Sequence, residues 1–141
     1  KKKEALVKLD QSIKLSAYDP KAHFSLGRIK HDLGDSHGAI DSLKKATRLD
    51  PNFGDAYYRL GLAYDSQYQG YDSISSLMIA EIVYHKARET KSFKKTQTEM
   101  KTLFEKYQVQ RSDFRDLQLP ETLKGYDMHQ RPKQIRTSKR K

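Results

Sequence analysis

The sequence predicts an all-α fold, in which antiparallel pairs of short helices stack side by side into a solenoid. Small and apolar residues recur at spacings of four and three, on one face of a helix, at Ala39, Leu43 and Ala46. Pro51 ends that helix, because a proline disfavours the helical conformation in the preceding residue and has no N–H to donate. The pair Leu60-Gly61 repeats the pair Leu26-Gly27 after 34 residues. An internal period of this length is typical of stacked helical hairpins.

The residues around Pro51 resemble the tetratricopeptide repeat, a family whose unit is about 34 residues long. The first helix of that unit reads aromatic-x2-Leu-Gly-x2-Tyr, and its counterparts here are Tyr57, Leu60, Gly61 and Tyr64. The second helix and closing proline of the repeat before it are matched by Ala39, Leu43, Ala46 and Pro51. That repeat also has first-helix residues at His23, Leu26 and Gly27. The resemblance implies a short α-solenoid of tetratricopeptide type that acts as an interaction module.

A glycine within each first helix indicates that another backbone passes close to it. Gly61 costs about 1 kcal/mol relative to alanine in a helix. Large residues flank this glycine, so the cost is best explained by close packing. Gly27 holds the same position one period earlier.

The pattern divides the chain into five segments with different roles. They are the second helix of an incomplete repeat (1–19), a repeat (20–53), a divergent repeat (54–90), a capping helix (91–108) and an extended basic tail (109–141). In the first segment, Ala5, Leu9 and Ser12 share the offsets of the second-helix residues above. A half repeat cannot bury its apolar face alone. We therefore expect either a helix before Lys1 or a partner on that face.

The divergent repeat departs from the family pattern at its turn. Tyr68 stands where the family has a turn glycine, and we expect Gly70 to supply that flexibility two positions later. Further on, an apolar stripe at helical spacing predicts the capping helix, at Phe93, Met100, Leu103, Phe104 and Tyr107. Residues 71–119 contain neither glycine nor proline. The alternative is therefore one long rod that continues the preceding helix.

Composition and charge exclude several classes of function. The 141 residues suffice for one domain, with 35% hydrophobic and 33% charged residues. The absence of cysteine excludes disulfide and thiol chemistry, and no apolar run of about 18 residues is present that would span a membrane. The net charge of +10 is unevenly spread, because residues 19–85 carry −2 and residues 124–141 carry +6.

No motif of the sequence indicates an enzyme or a cofactor. Phosphate-binding glycine motifs, nucleophile elbows and triad motifs are absent. Potential ligands of zinc or nickel occur close together at His31, Asp32, Asp35 and His37. They fall at a helix end and in the following turn, where polar residues are expected in any case. The solvated turn is the preferred interpretation, and no metal is predicted.

The resemblance also implies a binding groove, because the inner surface of such a solenoid is lined mainly by first helices. The groove positions of the family correspond here to Phe24, Arg28, His31, Tyr58, Leu62 and Asp65. The chaperone-binding members of the family grip a terminal carboxylate with Lys and Asn, which these residues do not match. A heat-shock cochaperone is therefore not expected. A groove of aromatic residues with one arginine suits an apolar or helical segment.

The basic residues of the C-terminal tail form the second predicted site, a docking surface. They are Lys124, Arg131, Lys133, Arg136, Lys139, Arg140 and Lys141. Such a tail suits an acidic protein, nucleic acid phosphates or anionic lipid, or it only raises solubility. The preferred hypothesis is an adaptor, scaffold or assembly factor that binds a partner segment within a larger protein complex. The alternative is a ribonucleoprotein subunit that binds nucleic acid through the tail, with salt-dependent affinity.

Overall fold

The structure is a computed structural model that describes residues 1–129, which form six α-helices and two short 3-10 helices. The α-helices are α1 (Lys2–Leu15), α2 (Pro20–Asp32), α3 (Ser36–Leu49), α4 (Gly54–Ser66), α5 (Gly70–Lys86) and α6 (Thr90–Tyr107). The 3-10 helices follow at Arg111–Phe114 and Glu121–Leu123. Each α-helix packs mainly on the helices before and after it in the chain, and α2 also contacts α4. This arrangement confirms the predicted all-α solenoid, with α6 as a separate helix at its end.

Aspartate side chains start α2 and α3. Asp19 accepts a hydrogen bond from the backbone N–H of Lys21 at 3.0 Å, and Pro20 occupies the first turn of α2. At the start of α3, Asp35 accepts one from the N–H of Gly38 at 2.9 Å. Each carboxylate satisfies an N–H group that has no partner within its own helix. These caps determine where the two helices begin.

Four helices end in the same way, with a residue in the left-handed conformation. The residues are Gly34 (φ 86°), Tyr68 (φ 55°), Arg88 (φ 59°) and Gln108 (φ 54°). The N–H of Tyr68 donates to the carbonyl of Asp65 at 2.9 Å, and the N–H of Gln69 donates to the carbonyl of Tyr64 at 3.0 Å. These two bonds satisfy carbonyl groups that the end of α4 would otherwise leave without partners.

The prediction that Gly70 supplies the flexibility of this turn is wrong, because Tyr68 itself adopts the left-handed conformation. Gly70 is instead the first residue of α5. A Cβ at Gly70 would lie 2.5 Å from the ring of Tyr107. The small size of this glycine therefore makes room for α6.

α5 and α6 are separate helices, so the alternative of one long rod is wrong. Arg88 reverses the chain in a left-handed conformation, and its N–H donates to the carbonyl of His85 at 3.1 Å. The N–H of Glu89 donates to the carbonyl of Tyr84 at 2.9 Å. The turn thus has the left-handed geometry that a glycine usually adopts at a helix end, although Arg88 occupies the position.

The predicted close approach at the two helical glycines is confirmed. A Cβ on Gly61 would lie 2.8 Å from Cγ of Leu77 and 3.1 Å from the carbonyl oxygen of Ser73. The hydroxyl of Ser73 also donates to the carbonyl of Gly61 at 2.7 Å, which joins α5 to α4. Gly27 approaches α3 in the same manner, because its Cβ would lie 2.6 Å from Cγ of Leu43.

Residues 109–129, here called the C-terminal strap, pack against α5 and α6. The sequence predicts an extended tail from residue 109, but the strap contains both 3-10 helices and buries Phe114 and Leu123. Phe114 belongs to the same apolar cluster as Met100 of α6. Leu123 packs in a second cluster with Val83 of α5. The strap therefore forms part of the core.

α1 is the least covered helix. Within the described chain none of its side chains is buried, and Val7 and Leu15 are exposed. Ala5 and Leu9 are half-buried, and α2 is the helix on which α1 packs. The apolar face of α1 is partly open, and the predicted cover of that face stays a prediction.

Candidate partner-binding groove

A cleft of about 210 Å³ lies where α2, α4 and α6 meet the end of α5. Its lining residues are Phe24 and Arg28 from α2, Asp55, Tyr58 and Arg59 from α4, Tyr84 from α5, and Ser92 and Lys95 from α6. We call this cleft the groove pocket. It brings together three of the six predicted groove residues, Phe24, Arg28 and Tyr58.

Two half-buried aromatic rings form the apolar wall of the groove pocket. The ring centroid of Phe24 lies 4.9 Å from that of Phe53, just before α4. Tyr58 packs against the apolar clusters of α5 and α6, and Nζ of Lys95 lies 5.1 Å from its ring centroid. That distance permits a cation–π interaction. Both rings keep part of their surface exposed to solvent.

A hydrogen bond between two lining residues fixes the polar part of the groove pocket. The hydroxyl of Tyr84 donates to Oδ1 of Asp55 at 2.5 Å, and Tyr84 is buried. Burial, together with the hydrogen bond to Asp55, raises the pKa of Tyr84 far above its usual value. Tyr84 therefore stays protonated at neutral pH, and the carboxylate of Asp55 is already engaged.

Most of the charged groups that line the groove pocket are cations. Arg28, Arg59 and Lys95 face a single lining carboxylate, that of Asp55. None of the ion pairs formed within residues 1–129 includes any of these three cations. The groove pocket is therefore a cationic site with an aromatic wall.

Two of the remaining predicted groove residues, Leu62 and His31, do not line the groove pocket. Leu62 is half-buried on α4. Nε2 of His31 lies 3.0 Å from the hydroxyl of Ser66, which links α2 to α4. His31 therefore makes a contact between helices, and the structure does not bring it together with Asp32, Asp35 and His37 as a metal site.

The last predicted groove residue, Asp65, joins α4 to α6. It accepts hydrogen bonds from Nζ of Lys106 at 2.9 Å and from the hydroxyl of Tyr107 at 2.6 Å. We call these three residues the Asp65 clasp. Burial raises the pKa of Asp65, but the hydrogen bonds from Lys106 and Tyr107 outweigh it and hold the pKa below its usual value. Asp65 is therefore engaged within the chain.

Two cations of the groove pocket were not predicted from the sequence. Arg59 directly follows Tyr58 and lines the same cleft. Lys95 lies on α6, whose apolar stripe indicates only a cap. The repeat unit of 34 residues leads from Tyr58 to Ser92, which also lines the cleft, and Lys95 lies about one helical turn beyond Ser92. A capping helix that stacks beside α4 brings its own polar residues to the inner surface.

A second cleft, of about 340 Å³, lies among α3, α4, α5 and the C-terminal strap. Its aromatic residues are Tyr57, Tyr64 and Tyr71. Burial and the nearby carboxylate of Asp50 raise the pKa of Tyr57 to about 12. The lining cations Lys44 and Arg48 are balanced by the carboxylates Asp72 and Asp116. This cleft has no charge bias that would select a class of partner.

The predicted basic tail lies mostly outside the described residues. Only Lys124 falls within them, and it forms an ion pair with Glu121. The residues outside are Arg131, Lys133, Arg136, Lys139, Arg140 and Lys141. Within residues 1–129, no three His, Asp or Glu side chains gather as a metal site would require. In the same part of the chain, no helix combines the length and apolarity needed to cross a membrane.

The family profile described as TPR repeat matches residues 27–67. The match runs from the middle of α2 through α3 and α4, and it includes both Gly27 and Gly61. Residues 27–67 therefore match the tetratricopeptide repeat family. The repeat fold is a scaffold for contacts between proteins.

Solved structures of other proteins share this fold. The type III secretion translocator chaperone SycD of Yersinia enterocolitica superposes with a TM-score of 0.72 at 15% identity, over 77% of this chain and 75% of its own. One crystal structure of MamA gives 0.55 at 25% identity, covering 76% and 69%. Another gives 0.55 at 24% identity, covering 84% and 70%. No curated protein matches the sequence significantly.

Proposed function

We propose that this tetratricopeptide-repeat chain is an adaptor or assembly factor that binds a segment of a partner protein in the groove pocket, within a larger complex. The proposal is supported above all by Phe24 and Tyr58, half-buried rings that share one cleft with three cations. Aromatic and arginine side chains are enriched where protein interfaces hold most of their binding energy. Their combination in a cleft is therefore a feature of a binding surface.

The size of the groove pocket favours a peptide segment over a small molecule. Sites for small molecules have volumes of about 300–1,000 Å³, whereas the groove pocket has about 210 Å³. A cleft of this size admits one or two side chains. The rest of the segment would lie along the exposed surface of α2 and α4.

The test combines identification of a partner with a change of one lining residue. Partners of the full chain are identified by co-purification and crosslinking, and the affinity of the main partner is then measured directly. We expect Tyr58→Ala to weaken binding at least about tenfold, because an aromatic anchor is lost. Tyr18→Ala is the matched control, since Tyr18 is exposed between α1 and α2.

The two variants distinguish the loss of a contact in the groove pocket from a general loss of structure. Circular dichroism should show equal helicity for the wild type and both variants. If the identified partner binds all three proteins equally well, the groove pocket is not its site.

The basic tail forms the second part of the proposal, as a docking segment on the same complex. Deletion of residues 130–141 removes six of the seven basic residues and keeps Leu123, which is fully buried. We expect this deletion to weaken assembly in a salt-dependent way. Titration with RNA at several salt concentrations tests the nucleic-acid alternative. The expectation that the chain is not an enzyme stays a prediction.

A further inference from the structure

The charge of the groove pocket differs from that of the groove predicted from the sequence. The sequence indicates aromatic residues with one arginine, Arg28, which suits an apolar or helical segment. The structure adds Arg59 and Lys95 to the same cleft. The only lining carboxylate, Asp55, already accepts a hydrogen bond from Tyr84. The cleft therefore has two more positive than negative side chains.

We propose that the groove pocket selects an acidic segment of its partner. A carboxylate of that segment binds among Arg28, Arg59 and Lys95, and a neighbouring aromatic or aliphatic side chain packs on Tyr58. This inference rests on the function proposed above and names the chemical class of the segment.

The alternatives to an acidic segment are less favourable for physical reasons. A basic segment would place like charges against three cations, which is repulsive. A wholly apolar segment would remove water from these cations without replacing its hydrogen bonds, and that desolvation is costly. A carboxylate supplies both the opposite charge and the acceptor oxygens that guanidinium groups bind well.

The Asp65 clasp engages a carboxylate that lies two helical turns after Tyr58 on α4. Asp65 is held by Lys106 and Tyr107 of α6, so it offers no free carboxylate beside the groove pocket. Nζ of Lys106 also lies 5.4 Å from the ring centroids of Tyr68 and Tyr107. The cation of the clasp is thus engaged, whereas those of the groove pocket form no ion pair within residues 1–129.

The test is a selection of random short peptides displayed on phage against the full chain. Peptides enriched by the wild type are synthesised with a fluorescent label, and their affinities are measured by anisotropy at low and moderate salt. We expect enrichment of Asp and Glu next to an aromatic or aliphatic residue. The affinity should fall as salt rises, because the contact is between charges.

Charge-reversal variants locate the site. We expect Lys95→Glu to weaken the selected peptides at least about tenfold, and a selection against Lys95→Glu to lose its acidic preference. Lys45→Glu is the matched control on the exposed surface of α3, outside both clefts. Lys139→Glu makes the same charge change in the tail. The Lys45→Glu control should bind the peptides as the wild type does, whereas Lys139→Glu tests whether the tail is the anion site instead.

Each other outcome overturns the inference in a recognisable way. Suppose that Tyr58→Ala weakens the selected peptides, but that they show no acidic preference and bind Lys95→Glu as well as the wild type. The proposal of an acidic segment is then wrong, whereas the proposal that the groove pocket binds a segment is supported. If no selected peptide is weakened by Tyr58→Ala, the proposed function fails as well. If Lys139→Glu abolishes acidic peptide binding and Lys95→Glu does not, the tail is the anion site. If labelled oligouridine, but no peptide, loses binding in Lys95→Glu, the ligand is RNA.

Discussion

Arg111 of the C-terminal strap and Glu81 of α5 form a salt bridge with two hydrogen bonds, from Nη1 to Oε1 at 3.0 Å and from Nη2 to Oε2 at 3.1 Å. Glu81 is 1% exposed, whereas the side chain of Arg111 is 52% exposed. A buried carboxylate without a partner is strongly destabilising. The strap therefore neutralises the buried charge of Glu81, in addition to burying Phe114 and Leu123.

Removal of the guanidinium should destabilise the fold. We expect Arg111→Ala to lower the free energy of unfolding by about 2–3 kcal/mol, since Glu81 loses two charge-assisted hydrogen bonds and water reaches the site from one side. Urea unfolding followed by circular dichroism measures this loss. Arg115→Ala is the control, because Arg115 is exposed one residue beyond the first 3-10 helix.

A double variant distinguishes the lost charge pair from lost packing. Glu81→Met combined with Arg111→Ala replaces the buried charge by an apolar side chain of similar size. Most of the stability should then return. If the single variant Arg111→Ala is as stable as Arg115→Ala, the salt bridge has no role in holding the strap.

The contact between α4 and α5 should not tolerate a methyl group at Gly61. Alanine would gain about 1 kcal/mol in helix propensity, but its Cβ would lie 2.8 Å from Leu77, which is fully buried. Overpacking of a filled core costs about 1–3 kcal/mol, so we expect Gly61→Ala to be destabilising overall. Thermal unfolding tests this, and a variant more stable than the wild type would mean that α4 and α5 separate easily.

The turn between α4 and α5 should be improved by a glycine at Tyr68. A residue with a side chain pays roughly 1–2 kcal/mol to adopt the left-handed conformation, which glycine does not. Glycine, however, has more conformational freedom in the unfolded chain, and this offsets about 0.5–1 kcal/mol of the benefit. We therefore expect Tyr68→Gly to stabilise the fold by up to about 1 kcal/mol. Gln69→Gly is the adjacent control, because Gln69 has a φ of −90° and should only lose stability. Equal effects of the two changes would contradict the prediction.

The helical period was readable from the sequence, but two of the turns were not. Leu26-Gly27 and Leu60-Gly61 mark close packing, and Pro51 marks a helix end, because glycine and proline have conformational consequences in any context. Tyr68 and Arg88 adopt left-handed conformations that their side chains do not favour. These turns are imposed by the packing of the helices on either side, so no local residue signals them.

Only some of the residues that line the groove pocket could be predicted from the sequence, for a related reason. Phe24, Arg28 and Tyr58 follow from the spacing within α2 and α4, which are the first helices of two successive repeats. Lys95 belongs to α6, and its place depends on how α6 stacks beside α4. That stacking follows from the left-handed turn at Arg88, which the sequence does not predict.

The Asp65 clasp should make the free energy of unfolding depend on pH in the acid range. The pKa of Asp65 is held below its ordinary value of 3.8 in the folded chain, so its stabilisation is present above that value and is lost as pH falls through the lowered pKa. We expect the difference in unfolding free energy between the wild type and Asp65→Asn to be constant near neutral pH. It should shrink below about pH 4, where the unfolded carboxyl takes up a proton.

Urea unfolding at a series of pH values measures this difference. Asp10→Asn is the control, since Asp10 is exposed on α1 and has no hydrogen-bond or ion-pair partner among residues 1–129. Lys106→Met in the wild-type background should remove part of the same dependence, because Lys106 donates one of the two hydrogen bonds to Asp65. A difference between wild type and Asp65→Asn that persists unchanged down to the lowest pH would show that the carboxylate charge does not stabilise the contact between α4 and α6.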